Sequence, residues 1–232
     1  MVGLNGDLIE RVENFKFLGI TINEHLNWKS HMLDILSKIQ RNLGITYKIA
    51  PFLNRNSLFE LYHSLIMSHI RYGIIVWHHG NAQIRKKIQA CSNKFLRLIF
   101  HLKPRDSVRS LMKENKLLSV NQIYHVEVAK IMQKHALGDI LSPFMDILQG
   151  QIRLTEMRTR SDNVIVQGAS RTNKYAQSIR CSGPFVFNSI PSHIKYHCAQ
   201  SSDRVVITNY PISFPAFKSK MKQFALTDID FL

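Results

Sequence analysis

Lys86, Lys87, Lys94 and Arg97 share a stretch with Ile84, Ile88, Cys91, Phe95, Leu98 and Leu102, which recur at intervals of three and four. At about 100° per residue, that spacing predicts a helix over 82–101 whose apolar residues form one face. The four cations gather on a flank of the other side. The chemistry open to such a flank is electrostatic: it can lie along a phosphate backbone, release condensed counterions and fix register without reading sequence. An ordinary amphipathic helix with a basic solvent face has the same pattern. What favours phosphate is that no acidic residue interrupts 71–105.

A second set comprises Arg153, Arg158, Arg160, Arg171, Lys174 and Arg180, interleaved with Tyr175 and small polar residues. The planar guanidinium fork suits bidentate phosphate binding, although each residue taken singly also fits a solvated loop.

Other chemistries find little support. Metal-dependent nucleotidyl transfer needs paired carboxylates, and Glu60 is the only acid between Asp34 and Asp106. His193, His197 and Cys198 in "HIKYHC" have one upstream cysteine, Cys181, where a zinc finger wants a close pair. His78-His79 closes an apolar stretch, where a cap or surface role is expected. There is no Walker-type glycine loop and no Gly-x-Ser-x-Gly elbow. The sequence therefore names no catalytic residue, no metal ligand and no small-molecule ligand.

These side chains need elements to hold them. The chain has 232 residues, of which 45% are hydrophobic, enough for one domain with a core or two small ones. Its 31 Lys and Arg against 16 Asp and Glu give a net charge of +15, which suits a polyanion partner. Residues 71–116 and 151–232 carry the whole excess. No apolar run is long enough for a membrane span, no signal peptide is visible, and three scattered cysteines give no disulfide framework. An intracellular setting, nucleus or cytoplasm, is expected.

The pattern predicts a mainly α fold. Asn5-Gly6 reads as a tight hairpin turn. Phe15, Phe17, Ile20 and Ile22 read as one strand. A helix then starts after Asn27, a candidate cap, and runs to Pro51. A second helix covers 57–77, capped by Asn56 or Ser57, and a third covers 82–101. Asp106 starts a short helix, and Ser119 starts a longer one that ends at Gly138. Residues 151–180 read as extended or loop-like, "GPFVFNSIP" (183–191) as one turn between prolines, and 214–226 as a closing helix bearing Phe217, Met221 and Phe224.

"IERVENFKFLGITINEHLNWKSHM" (9–32), "LYHSLIMSHIRYGIIVW" (61–77), "IRKKIQACSNKFLRLIF" (84–100), "MRTRSDN" (157–163), "GPFVFNSIPSHIK" (183–195) and "FPAFKSKMKQF" (214–224) succeed one another along the chain. Together they resemble the end of the reverse transcriptase region of non-LTR (LINE-type, jockey-like) retrotransposons and the C-terminal region beyond it. The resemblance spans nearly the whole chain and rests on order and spacing. It departs from the family at Phe187, where tryptophan is common, and over 198–210.

The resemblance implies a C-terminal fragment of an RNA-directed DNA polymerase. Residues 1–25 would be the last strands of a palm, 26–138 a helical thumb, and 139–232 a basic C-terminal region. Phe17, Leu18 and Gly19 would support the primer end. Lys86, Lys87, Lys94 and Arg97 would grip an RNA template and DNA primer. No Tyr/Phe-x-Asp-Asp motif occurs, so no catalytic aspartate is carried over. Mg²⁺ is expected in a missing palm, itself an expected partner, and the chain is expected to be inactive alone. The alternative is a truncated or co-opted relic acting as a protein-interaction module.

Overall fold

The computed structural model describes residues 3–4, 7–8, 11–138, 170–201 and 204–227. The fold is mainly helical with small antiparallel hairpins at its start. Strands β1 (Gly3–Leu4) and β2 (Asp7–Leu8) pair antiparallel with Leu4 opposite Asp7; the expected Asn5-Gly6 turn lies outside the described residues.

The single strand expected over Phe15–Ile22 is instead a hairpin of β3 (Asn14–Phe17) and β4 (Ile20–Asn23), with Phe17 paired to Ile20. Leu18 and Gly19 make the turn at φ 45° and 80°. Positive φ at both central residues is what a tight two-residue hairpin turn demands. β4 rests on the next helix: Thr21 N–H donates to His31 Nδ1 (3.3 Å) and Thr21 Oγ1 to Asp34 Oδ2 (3.1 Å).

Helix α1 (Lys29–Ile49) buries Met32, Ile35, Leu36, Ile39 and Leu43; of the apolar stripe that spacing predicts over Trp28, Met32, Ile35, Leu36, Ile39, Leu43 and Tyr47, Trp28 is only half-buried and Tyr47 is exposed. Its N-cap is Trp28, in the left-handed region, and not Asn27. Asn27 Oδ1 still accepts the Lys29 N–H (3.0 Å), so its carboxamide relieves one orphan donor.

The second helix is broken. α2 (Arg55–Leu61), capped by Asn54 rather than Asn56 or Ser57, runs into a π-helical segment (Tyr62–Met67) and α3 (Ser68–Arg71). The chain turns at Tyr72-Gly73, with Gly73 at φ 61°, before α4 (Ile74–Trp77). A side chain at Gly73 would bring its Cβ within 2.9 Å of Ile20 Cδ1, so the break lets β4 approach closely. Helix α5 (Ala82–Ile99) lies against α1 and buries Ile84, Ile88, Cys91, Phe95, Leu96 and Ile99. A buried Tyr62–Ser92 hydroxyl pair (2.9 Å) ties it to the π-helical segment.

The chain divides into two compact units, Met1–Arg109 and Ser110–Leu232. This differs from a helical domain ending at 138 and from a separate strand segment at 1–25. β4 belongs with α1, while residues 110–138 pack with the C-terminal part. In the second unit, α6 (Arg109–Glu114) starts later than Asp106, whose carboxylate accepts the Lys103 N–H instead. α7 (Val120–Ala136) starts at Ser119 with a reciprocal Ser119–Gln122 capping box.

The stretch over 173–189 is helical: α8 (Asn173–Ala176) and α9 (Ile179–Ser189), the latter running through Pro184. α10 (Ser192–Lys195) leads into a hairpin of β5 (Tyr196–Ser201) and β6 (Arg204–Pro211). α11 (Phe214–Thr227) buries Phe217, Met221 and Ala225, with Phe224 half-buried. α9 and α11 both pack on α7. Gly183 permits the first contact, since a Cβ there would come within 2.7 Å of Met132 Sδ. Gln122 Nε2 secures the second by donating to Ala225 O (2.7 Å).

Candidate nucleic-acid interface

Helix α5 forms where the sequence places it because Asn81 Oδ1 accepts from Gln83 N–H and Ile84 N–H (2.9 and 3.1 Å), satisfying two first-turn donors. Burial of its apolar face fixes which way the rest points. Lys86, Lys87 and Lys94 are exposed. Arg97 is half-buried, held by its Nε donating to Asp106 O (2.9 Å). Among the described residues, none of the four forms an ion pair. The ion pairs among the described residues lie elsewhere, at Arg11–Glu24, His25–Glu24 and Lys130–Glu127 (2.7, 3.3 and 2.6 Å).

Arg85 faces differently. It is half-buried, donates to His78 O, and has its pKa lowered by burial. His78 is the C-cap of α4, as the cap reading expects, while its burial and the half-burial of His79 leave no surface role. Sequence reasoning left out Lys103 and Arg105, which extend the exposed basic surface in the loop after α5; their presence in the acid-free run was the available signal.

Beside Lys94 and Arg97, a groove of about 720 Å³ opens between α1 and α5. Leu43, Cys91 and Leu98 give it an apolar lining, and Tyr47 stands at its side half-exposed. Burial raises the Cys91 thiol, with Lys94 pulling the other way.

The second basic set is only partly described. Arg153, Arg158 and Arg160 lie outside the described residues. Arg171 and Lys174 are exposed around α8, where the Thr172 side chain accepts the Tyr175 N–H (3.2 Å), and Arg180 is half-buried in the first turn of α9. These three belong to the second unit and the α5 cations to the first.

Phe17, Leu18 and Gly19 come together at the tip of the β3–β4 hairpin. Phe17 and Leu18 are 56% and 75% exposed, an unusual display for apolar side chains. The tip is anchored from behind: Tyr72 Oη donates to Leu18 O, and a Cβ on Gly19 would touch the Tyr72 ring at 3.4 Å.

Among the described residues, no group of three His, Cys, Asp or Glu side chains comes together to hold a metal ion. No described helix is long and apolar enough to cross a membrane. Fold and site together define a basic, mainly helical chain with an exposed cationic helix face. The chain matches no protein-family model, no curated protein and no solved structure.

Proposed function

We propose that the chain binds template–primer nucleic acid through phosphate contacts, as the end of palm, thumb and C-terminal region of a non-LTR retrotransposon reverse transcriptase. In this role it works with a palm that supplies the aspartates and Mg²⁺, and it polymerises nothing alone. The observation that carries the reading is the outward face of α5: Lys86, Lys87 and Lys94 are exposed and without a carboxylate partner among the described residues.

Length suits the role. At about 1.5 Å per residue, Lys86 to Arg97 spans about 16 Å, the axial length of about five phosphates on one strand. Four contacts predict a slope of log K against log[salt] of about −3.6, which is an affinity loss of about 150-fold between 50 and 200 mM salt. The test is binding of an RNA–DNA hybrid across that range. The expected result is a slope at least that steep for the native chain, and one shallower by about 3.6 when Lys86, Lys87, Lys94 and Arg97 are all changed to Gln. Unchanged slope in a folded quadruple variant refutes the assignment.

A second reading, a protein-interaction module, draws on β3. Its side chains are all exposed, and among the described residues β4 is its only strand partner. An open strand edge can pair with another chain. That reading predicts binding insensitive to salt and to the four cations.

A further inference from the structure

We infer that the groove between α1 and α5 receives one unpaired nucleotide of a bound strand, with Tyr47 stacking on the base and Lys94 and Arg97 holding its phosphate. This rests on the nucleic-acid reading above and assigns it a second mode of contact. At about 720 Å³ the groove falls within the roughly 300–1,000 Å³ typical of ligand sites.

Its chemistry is divided in the way a nucleotide is divided. Leu43, Cys91 and Leu98 give an apolar surface for a base, and Lys94 and Arg97 stand at the same groove for its phosphate. Among the described residues the Tyr47 ring has no aromatic partner and its hydroxyl makes no hydrogen bond, yet the side chain lines the groove at 50% exposure. Arg97 is positioned through Nε alone, which leaves its two terminal nitrogens for a bidentate contact.

Gly44 supports the assignment independently. It lies in the interior of α1, where glycine is a poor helix former. A Cβ there would meet nothing within 4 Å, so neither packing nor backbone conformation requires glycine at this position. What its small size does is keep the groove open, because Gly44 is part of the wall. A larger side chain at 44 would fill the space a base needs and should favour the helix.

The test compares a fully paired RNA–DNA hybrid with the same hybrid carrying one unpaired nucleotide. The native chain should bind the second about tenfold more tightly, within the range for stacking of one base on an aromatic side chain. Gly44→Leu should remove the preference. Tyr47→Ala should also remove it, and Tyr47→Phe should keep it, since the ring and not the hydroxyl stacks. Adenosine 5′-monophosphate should not compete at concentrations where the unpaired-nucleotide hybrid does.

Equal affinity of the native chain for both hybrids overturns the groove assignment and leaves phosphate binding standing. Binding to neither overturns both. A preference that survives in folded Gly44→Leu and Tyr47→Ala places the unpaired nucleotide elsewhere, and effective competition by the free nucleotide shows a site for free nucleotide instead.

Discussion

Changing Leu18 to asparagine should make the first unit more stable, although it replaces an apolar residue by a polar one. Leu18 sits at φ 45°, a conformation that costs a side-chain-bearing residue about 1–2 kcal/mol and that asparagine tolerates far better. Against this gain stands lost burial. Leu18 is 75% exposed, so at most a quarter of the ~1.5–3 kcal/mol for burying a leucine is forfeited, about 0.5 kcal/mol. The bond from Tyr72 survives because it is accepted by the backbone carbonyl. The net is a gain of about 0.5–1 kcal/mol, or roughly 2–6 °C in Tm for a unit of this size. Urea unfolding should show a higher midpoint with an unchanged slope. Gly19→Ala is the opposite control: φ is 80°, in the region that strains any side chain, and the new Cβ only touches Tyr72, so a loss of about 1 kcal/mol is expected. A destabilised Leu18→Asn would mean that Leu18 is packed and not displayed, and the account of the hairpin tip would fail.

Two further outcomes concern buried titratable groups. His31 accepts the Thr21 N–H through Nδ1 and has its pKa lowered, first by burial and then by Lys38, with Asp34 opposing; burial also lowers His69 and His79. The unfolded chain therefore binds protons more readily, so stability is full above the ordinary imidazole value of about 6.5 and falls as pH drops through the lowered folded values. The urea midpoint of the first unit should be lower at pH 5.5 than at 7.5, and equal midpoints refute this. In the second unit, Lys195 is 4% exposed, and burial lowers its amine to about 8. Lys195→Met should stabilise that unit at pH 7 by at most about 1 kcal/mol, after discounting for screening, for the lost bond to Phe187 O and for the lost contact of the ammonium with the Phe187 ring. That carbonyl keeps the Ile190 N–H. Because the folded amine value is depressed, the native penalty fades as pH rises above about 8, so the midpoint difference should narrow by pH 9; a constant difference refutes a charge origin.

What was legible and what was not differ in physical kind. α5 and α7 were readable because their signals are local: an apolar stripe at helical spacing, a stop, and for α7 a Ser119–Gln122 pair three residues apart. The hairpin was missed although its signal was present. Phe15 and Phe17 alternate, as do Ile20 and Ile22, but the interval from Phe17 to Ile20 is three, and that change of parity is where the chain turns. The break at Tyr72-Gly73 was hidden because Leu58, Tyr62, Ile66, Ile70 and Ile74 keep a helical interval across it, even through the π-helical segment. Two prolines around 183–191 suggest a single turn, yet α9 continues through Pro184, with Cys181, Val186 and Phe187 buried and the helix packed on α7. The groove could not be read at all, since Tyr47 and Arg97 are brought together only by the packing of α1 on α5.

Three features of the first unit work against its own folding. Leu18 holds a left-handed backbone while displaying its side chain. Gly44 weakens a helix with no neighbour demanding its smallness. The cations of α5 share one face with no carboxylate partner among the described residues. Folding alone would favour asparagine at the first position, alanine at the second and mixed charge at the third. Sequences depart from such local consistency mainly where something other than folding is selected. The departures are of different kinds, one steric, one conformational and one electrostatic, so no single structural demand explains them together. A strand of nucleic acid would use all three: the cations for its phosphates, the space beside Gly44 for an unpaired base, and the apolar tip at Leu18 for the primer end.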